Sequence, residues 1–563
     1  VVESGVRYDL KRILVPRLAG TALRALAAAV ETPVLSSLLL ARLVSDAGIA
    51  AFRDVRVDEV PVLDPPLPRF PPAPAAPIDT FALAAGAPRP PGFARESAAD
   101  YGRAYREGKT SPEAVADRLV DALRRGDAME PPLRALIAWR EDDLREQAAR
   151  SAERWRAGRP LSALDGVPIA VKDEVDQAGY PTTVGTRFLG AAPAAKDSAV
   201  VARLRAAGAL LFGKANMIEL GIDTLGFNAH HGTPRNPMTD ERRYTGGSSS
   251  GSGAAVAAGL GPIAVGADGG GSIRIPAALC GIAGLKATHA RISELGAFPL
   301  CWSVGHVGPL GATVRDVALA YAVMAGPVDG DPLSQTQPAP TLAGLGEGIG
   351  ALRIGVYRAW FDDADAQVVA VCRGALDRLV ARGARLVEIE IPDLELIRAA
   401  HVVTILAEMA TTLGRYAEHR KDHGAAVRVN LAIARALTAR DFVQAQRVRA
   451  HASAAFARAF ESCDVIATPT TAIVAPRIRP DVFPDGESDL QTVSALMRFV
   501  FPFNLTGHPT LSVPAGTDAA GLPVGLQLVG KPWEEHVLLR AGEAVEAEAT
   551  RRRPALWFSL LGG

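Results

Sequence analysis

A serine behind three glycines and a lysine at the end of an apolar run are the residues in this sequence best placed to do chemistry. From Tyr244 to Thr288 the chain reads YTGGSSSGSGAAVAAGLGPIAVGADGGGSIRIPAALCGIAGLKAT. In DGGGS, Gly269, Gly270 and Gly271 precede Ser272. Glycines let the backbone turn sharply and let successive N–H groups converge on one point. Aimed at a developing oxyanion, each such donor contributes roughly 3–4 kcal/mol to acyl transfer. A serine closing that turn can be the nucleophile, but a free hydroxyl is weak and needs a base. No GxSxG elbow is present and no nearby histidine completes a triad. Lys172 follows the uncharged run GVPIAV. A lysine serves as base when neutral, and desolvation lowers its ordinary pKa of ~10.4 by several units. The plainer reading of Lys172 is a salt bridge to Asp173 or Asp268.

Other readings of the glycine-serine stretch fail. A flexible linker would not lie between the core-like runs AAVAAGLGPIAVGA and IRIPAALCGIAGL. A phosphate loop needs GxxxxGK[ST], which GIAGLKAT lacks, and GLGEGIG does not fit GxGxxG. Cys280 sits in an apolar helix-like run and reads as buried packing, not as a nucleophile. His419 and His423 in HRKDH are four apart but lack the HExxH glutamate, and read as a solvated helix face.

The elements that must hold these residues are legible. Ser111, Pro112 and Glu113 cap an amphipathic helix in SPEAVADRLVDALRRG, and DDLREQAARSAERWRAG is a second helix. LDGVPIAVKDEVD reads as a buried strand, and DSAVVARLRAAGALLFGKANM as a helix followed by a strand. GARLVEIEIPD, CDVIATPTTA and GLPVGLQLVG add strands among helices, so the alternation predicts an α/β domain with a covered sheet over 101–563. Residues 1–60 form a helical extension with two apolar patterns; in the second, Leu35, Leu38, Leu39 and Leu43 fall at helical spacing and Pro33 suits the first turn. These helices either pack as a hairpin or lie against a membrane or substrate access path; neither is long enough to span a bilayer. Eight prolines between Pro61 and Pro77 make 61–100 an extended strap.

Composition narrows the function. The chain has 563 residues, 48% hydrophobic, with 61 basic and 61 acidic side chains. That balance argues against a nucleic-acid partner. Cys280, Cys301, Cys372 and Cys463 show no CxxC spacing and read as reduced thiols. No signal peptide is legible, so a cytoplasmic setting is expected, with peripheral membrane contact through the N-terminal helices.

In order along the chain, GVPIAVKD, GTPRNP, GGSSSGS, GGGSIRIPAALCGIAGLKAT, ATPTTA and NLTGHPTLSVPAG with GLPVGLQLVG resemble the amidase signature family, from Gly166 to Gly530. The resemblance implies a large twisted mixed β-sheet covered by helices on both faces. It implies a Ser–cis-Ser–Lys triad: Ser272 as nucleophile, Ser248 as the bridging serine after a cis peptide bond, and Lys172 as base. Ser248 and Ser272 are 24 residues apart, the family's usual spacing. The backbone N–H groups of Gly269, Gly270, Gly271 and Ser272 become the oxyanion donors. Asp268 and Arg274 become the scaffold of that turn, and Leu220, Gly221 and Ile222 the substrate-binding candidates. No metal or organic cofactor is implied.

Ser250 and Gly269 depart from the commonest family pattern and, with PLCWSVGHVG and the N-terminal YDLKRILVPRLAG, resemble the plant-type fatty acid amide hydrolase branch. That implies a hydrolase releasing fatty acid and amine from N-acylethanolamines and related long-chain amides. The alternatives are an acylase for other N-acyl amides (N-acyl homoserine lactones, small amides), the amidase component of a tRNA-dependent amidotransferase, and a non-catalytic binding protein. A lipid amide is the expected small-molecule partner, and a homodimer stays open.

Overall fold

Short runs of small and β-branched residues alternate with amphipathic helices, and in the computed structural model, which describes residues 7–71 and 77–562, they form thirteen strands among the described residues. These are β1 (Leu18–Ala19), β2 (Leu136–Ala138), β3 (Pro168–Lys172), β4 (Leu210–Ala215), β5 (Ile263–Ala267), β6 (Ala283–Lys286), β7 (Val307–Gly311), β8 (Arg353–Val356), β9 (Arg385–Glu388), β10 (Val465–Pro469), β11 (Glu487–Ser488), β12 (Thr510–Thr517) and β13 (Pro523–Gly530). Eleven of them make one mixed sheet in the order β2-β4-β3-β5-β7-β6-β12-β13-β10-β8-β9. β4, β3 and β5 run parallel, as do β10, β8 and β9. The strands between β5 and β10 pair antiparallel. Every residue of β3, β4 and β5 is buried, as parallel strands covered on both faces require.

Helices cover the sheet. Pro112–Ala128 is capped by Ser111, whose side chain accepts from the Ala114 N–H, and packs on Glu141–Arg156. Ser250–Ala257 lies on β3 and β5. A Cβ on Gly251 would come within 2.2 Å of the Ala135 carbonyl, so only glycine allows that approach. Ile169, Val171, Leu211, Val265 and Ala255 are among the buried residues joining these layers.

The N-terminal segment is helical as its pattern predicts, over Gly20–Ala29, Pro33–Asp46 and Ile49–Phe52; residues 1–6 of the expected extension lie outside the described residues. Leu23, Val44 and Phe52 share a buried cluster with Val403 and Phe456. Burial of this kind stabilises by roughly 1.5–3 kcal/mol per large side chain. β1 pairs antiparallel with β11, Leu18 opposite Ser488. Arg17 joins Asp481 (2.7 Å) and Glu487, and Arg53 joins Asp441 at 2.8 Å. The proline-rich strap lies along the surface: the Trp533 indole donates to the Pro68 carbonyl, and the Phe70 N–H to the Thr336 carbonyl, both at 2.9 Å. Residues 72–76 of the strap lie outside the described residues, and the helix Thr80–Ala85, started by its Asp79 cap, ends the extended stretch earlier than proline content alone predicts. One helical stretch among the described residues, Leu394–His419, is long and apolar enough to cross a membrane, and most of it is buried inside the fold.

Candidate active site

β3 carries Lys172 at its C-terminal end, with a side chain 1% exposed. Its Nζ donates to Ser248 Oγ at 2.8 Å and to the Ala267 carbonyl at 3.1 Å. The acidic partner is neither Asp173 nor Asp268 but Glu174, 3.1 Å away. Asp173 instead faces Lys214 at 3.8 Å and accepts from Thr183 and the Gly185 N–H. Asp173 and Glu174 form a turn after β3, closed by the Val175 N–H on the Lys172 carbonyl at 3.0 Å, so strand alternation does not mark Glu174.

Ser248 follows a cis peptide bond from Gly247. Ser249 Oγ donates to the Ala267 carbonyl at 3.1 Å and its N–H to the Ser272 carbonyl at 3.3 Å, so the turn before the helix Ser250–Ala257 is tied both to β5 and to Ser272. Past β5, Asp268 organises the glycine turn. It accepts from Gly271 N–H (2.6 Å) and Ile273 N–H (3.1 Å) and pairs bidentately with Arg274 at 2.9 and 3.0 Å. Arg274 also donates to Gln527 and to the Val500 carbonyl, while Asn504 Nδ2 donates to the Asp268 carbonyl at 2.8 Å. Burial opposes ionisation of Asp268, yet Arg274 and Asn504 outweigh it and hold the carboxyl well below the usual range. The Gly271 N–H, expected among the oxyanion donors, is thus engaged by Asp268. The N–H groups of Gly269, Gly270 and Ser272 are left for that role.

A cavity of about 230 Å³ brings Lys172, Ser248, Gly269, Gly270 and Ser272 together with Leu220, Gly221 and Ile222. Gly221 lies where a Cβ would come within 3.2 Å of Ser248 Oγ, so its bare backbone closes over that serine. The neighbouring Glu219 is held by His423 Nδ1 (2.8 Å) and the Gly424 N–H (2.9 Å). His423 is therefore buried on Glu219 rather than solvated, while His419 stacks on Phe188 at 4.4 Å. No cluster of metal-ligating side chains occurs among the described residues. Much of the rest of the wall is apolar, including Phe298, Ile405, Met409, Met497 and Phe501. Leu10, Ile13 and Leu43 add to it from the N-terminal segment. Cys280 is buried away from this cavity, its thiol pushed up to about 12 by burial.

Sequence reasoning missed His401, on the helix Leu394–Leu413. Its Nε2–H donates to the Gly269 carbonyl at 2.8 Å, and its ring is 1% exposed. Burial pushes it down to about 4, so it is neutral near pH 7. It missed Glu294 too, which lines the same cavity. Neither has a local signal, because long-range packing brings both to the site.

The amidase family model matches residues 118–539. The chain is 38% identical to the fatty acid amide hydrolase of Arabidopsis thaliana, over 99% of this chain and 97% of that protein. It is 38% identical to a component of the glutamyl-tRNA(Gln) amidotransferase of an Anaeromyxobacter strain, over 77% of this chain and 93% of that one. Among solved structures, a bacterial aryl acylamidase of the amidase signature family superposes with a TM-score of 0.72 at 26% identity, covering 80% of this chain and 95% of that one.

Proposed function

Because this chain belongs to the amidase signature family and is a hydrolase of carbon–nitrogen bonds, we propose that it cleaves long-chain N-acyl amides, N-acylethanolamines among them, to fatty acid and amine. The observation that carries the reading is the Lys172 Nζ to Ser248 Oγ contact of 2.8 Å in a cavity that also holds Ser272 and is walled by Leu10, Ile13 and Leu43. The similarity to the Arabidopsis enzyme runs through the N-terminal segment that builds this wall, whereas the amidotransferase component matches only 77% of the chain.

In the proposed mechanism Lys172 is the base: it takes a proton from Ser248, which takes one from Ser272. Ser272 Oγ attacks the amide carbonyl, and the N–H groups of Gly269, Gly270 and Ser272 receive the oxyanion. The relay hands its proton to the leaving nitrogen, which departs as an amine. Water, deprotonated by the same relay, releases the fatty acid. Each buried acyl methylene contributes ~0.8 kcal/mol to binding, so an apolar wall selects long chains without polar contacts. We place a lipid-surface contact at Leu14, Leu35 and Leu38, which are exposed on the N-terminal segment that supplies part of this wall; loss of sedimentation with phosphatidylcholine vesicles in Leu38→Asp, against sedimentation of the parent, tests it.

The experiment for the function is a product screen with N-acylethanolamines of two to sixteen acyl carbons, N-acyl amino acids and N-acyl homoserine lactones. Specificity constants should climb with acyl length and include the ethanolamides. Preference for acetamide-sized substrates would overturn the lipid reading.

A further inference from the structure

Glu294 lines the cavity, yet among the described residues its carboxyl has no hydrogen-bond or ion-pair partner. The other cavity side chains of ordinary charge are engaged: Asp268 by Arg274, Arg398 by Glu395, Arg498 by Asp363, Glu174 by Lys172, and Asp223 by the N–H groups of Thr224 and Leu225. Gly305 gives the carboxyl its place, for a Cβ there would come within 3.1 Å of both Glu294 oxygens. The charges that act on it most strongly are those of Glu174, Asp331 and Glu408, all acidic. Burial and then the Glu174 charge push the carboxyl up to about 8. A partly buried acid among acids, with no partner of its own, leaves hydrogen-bonding capacity for a ligand to meet.

Glu174 also fixes which part of a substrate comes near. It is the ion-pair partner of Lys172, 3.1 Å away, and its carbonyl accepts from the Phe298 N–H at 2.8 Å, so the segment that carries Glu294 lies against the chain that follows Lys172 in the same cavity wall. The relay must reach the leaving nitrogen, whereas the acyl chain needs only apolar wall. We propose that Glu294 is a specificity residue that recognises a hydrogen-bond donor on the amine half of the substrate, an ammonium group above a hydroxyl. The favoured substrates are then amides of a fatty acid with a diamine or polyamine, followed by ethanolamides, followed by simple alkylamides. This inference rests on the amide-cleavage reading and adds to it the chemistry of the leaving group.

The test uses the full chain at pH 8 and three dodecanoyl amides differing only in the amine: 1,2-diaminoethane, ethanolamine and propylamine. The parent should rank them in that order, the diamine amide exceeding the propylamide about tenfold or more in kcat/KM, as a bond to a charged partner warrants. Glu294→Leu should lose that ranking while keeping propylamide cleavage, and Glu294→Gln should retain the ethanolamide but lose the ammonium preference. Equal cleavage of all three by the parent overturns the proposal. So does a proportional loss on all three in both variants, which is the mark of a structural role. Failure of the underlying reading looks different: Lys172→Ala would then cleave all three amides at the parental rate.

Discussion

His401 donates from Nε2 to the carbonyl oxygen of Gly269 at 2.8 Å, joining a buried helix to the turn that precedes Ser272. The peptide unit that accepts this bond carries the Gly270 N–H at its other end. Fixing the carbonyl therefore aims a donor into the cavity. Replacing His401 by alanine should lower kcat about tenfold with little change in KM, because the bond acts on the oxyanion and not on ground-state binding. Glutamine, which still presents an N–H, should recover much of the loss. Steady-state kinetics on one long-chain ethanolamide checks both variants; a pure KM effect would rule out this role.

The same histidine makes stability pH-dependent. Its pKa is pushed down from 6.5 to about 4 by burial, so the unfolded chain binds its proton more readily than the folded one. The stability this confers is complete above pH 6.5 and drains away as pH falls towards 4. The loss amounts to about 3 kcal/mol from this group. Urea unfolding of parent and His401→Gln at pH 7 and pH 4.5 should show a smaller acid-induced drop in the variant.

Ser272→Ala should abolish acyl-enzyme formation, and Lys172→Ala and Ser248→Ala should each lower kcat by about a thousandfold or more, since members of one relay fail as a unit. A fluorophosphonate should label Ser272 and spare Cys280. Peptide mapping after labelling gives the answer, and modification at any other serine would reassign the nucleophile.

Arg274→Met should cost about 3–5 kcal/mol of stability, because it strands the buried Asp268 without its cation. Asn504 alone cannot compensate a full charge. The midpoint of denaturant unfolding measures the loss, and an unchanged midpoint would mean that Asp268 is neutral in the fold.

Leu43→Glu should depress kcat/KM for a sixteen-carbon ethanolamide more than for a four-carbon one, because Leu43 lines the cavity. The ratio of the two constants is the readout. An equal loss on both would make the helix Pro33–Asp46 scaffold alone.

Most of the groups proposed to react lie in short, contiguous patterns that the sequence displays. Lys172 ends a strand of uncharged residues, and the turn around Ser272 has glycines at three successive positions, so local chemistry marked both as candidates, while the choice of Lys172 as base over a salt bridge came from the family resemblance. What the sequence hid lies across the sheet. Asn504 and Gln527 reach Arg274 from residues more than two hundred positions away. The helix bearing His401 is apolar for most of its length, and nothing in its spacing marks one ring as facing a glycine carbonyl. Gly271 was misassigned because composition locates a flexible turn but not the direction of each N–H. His423 was read as solvated from its charged neighbours, whereas Glu219 buries it from a segment about two hundred residues upstream.

The pairing of β1 with β11 has a consequence for how the protein is made. Arg17 and Glu487 meet across 470 positions of sequence. Leu10, Ile13 and Leu43 therefore leave the ribosome long before the edge that seats them. At typical synthesis rates of roughly 5–20 residues per second, that interval is about half a minute or more. The helices Leu394–Leu413 and Ala425–Arg435, on which the N-terminal helices pack, arrive first, and the β11 edge that completes one side of the cavity arrives last. Apolar faces at the start of the chain thus stay open to water until late in synthesis, and the cavity is complete only once the last hundred residues have arrived.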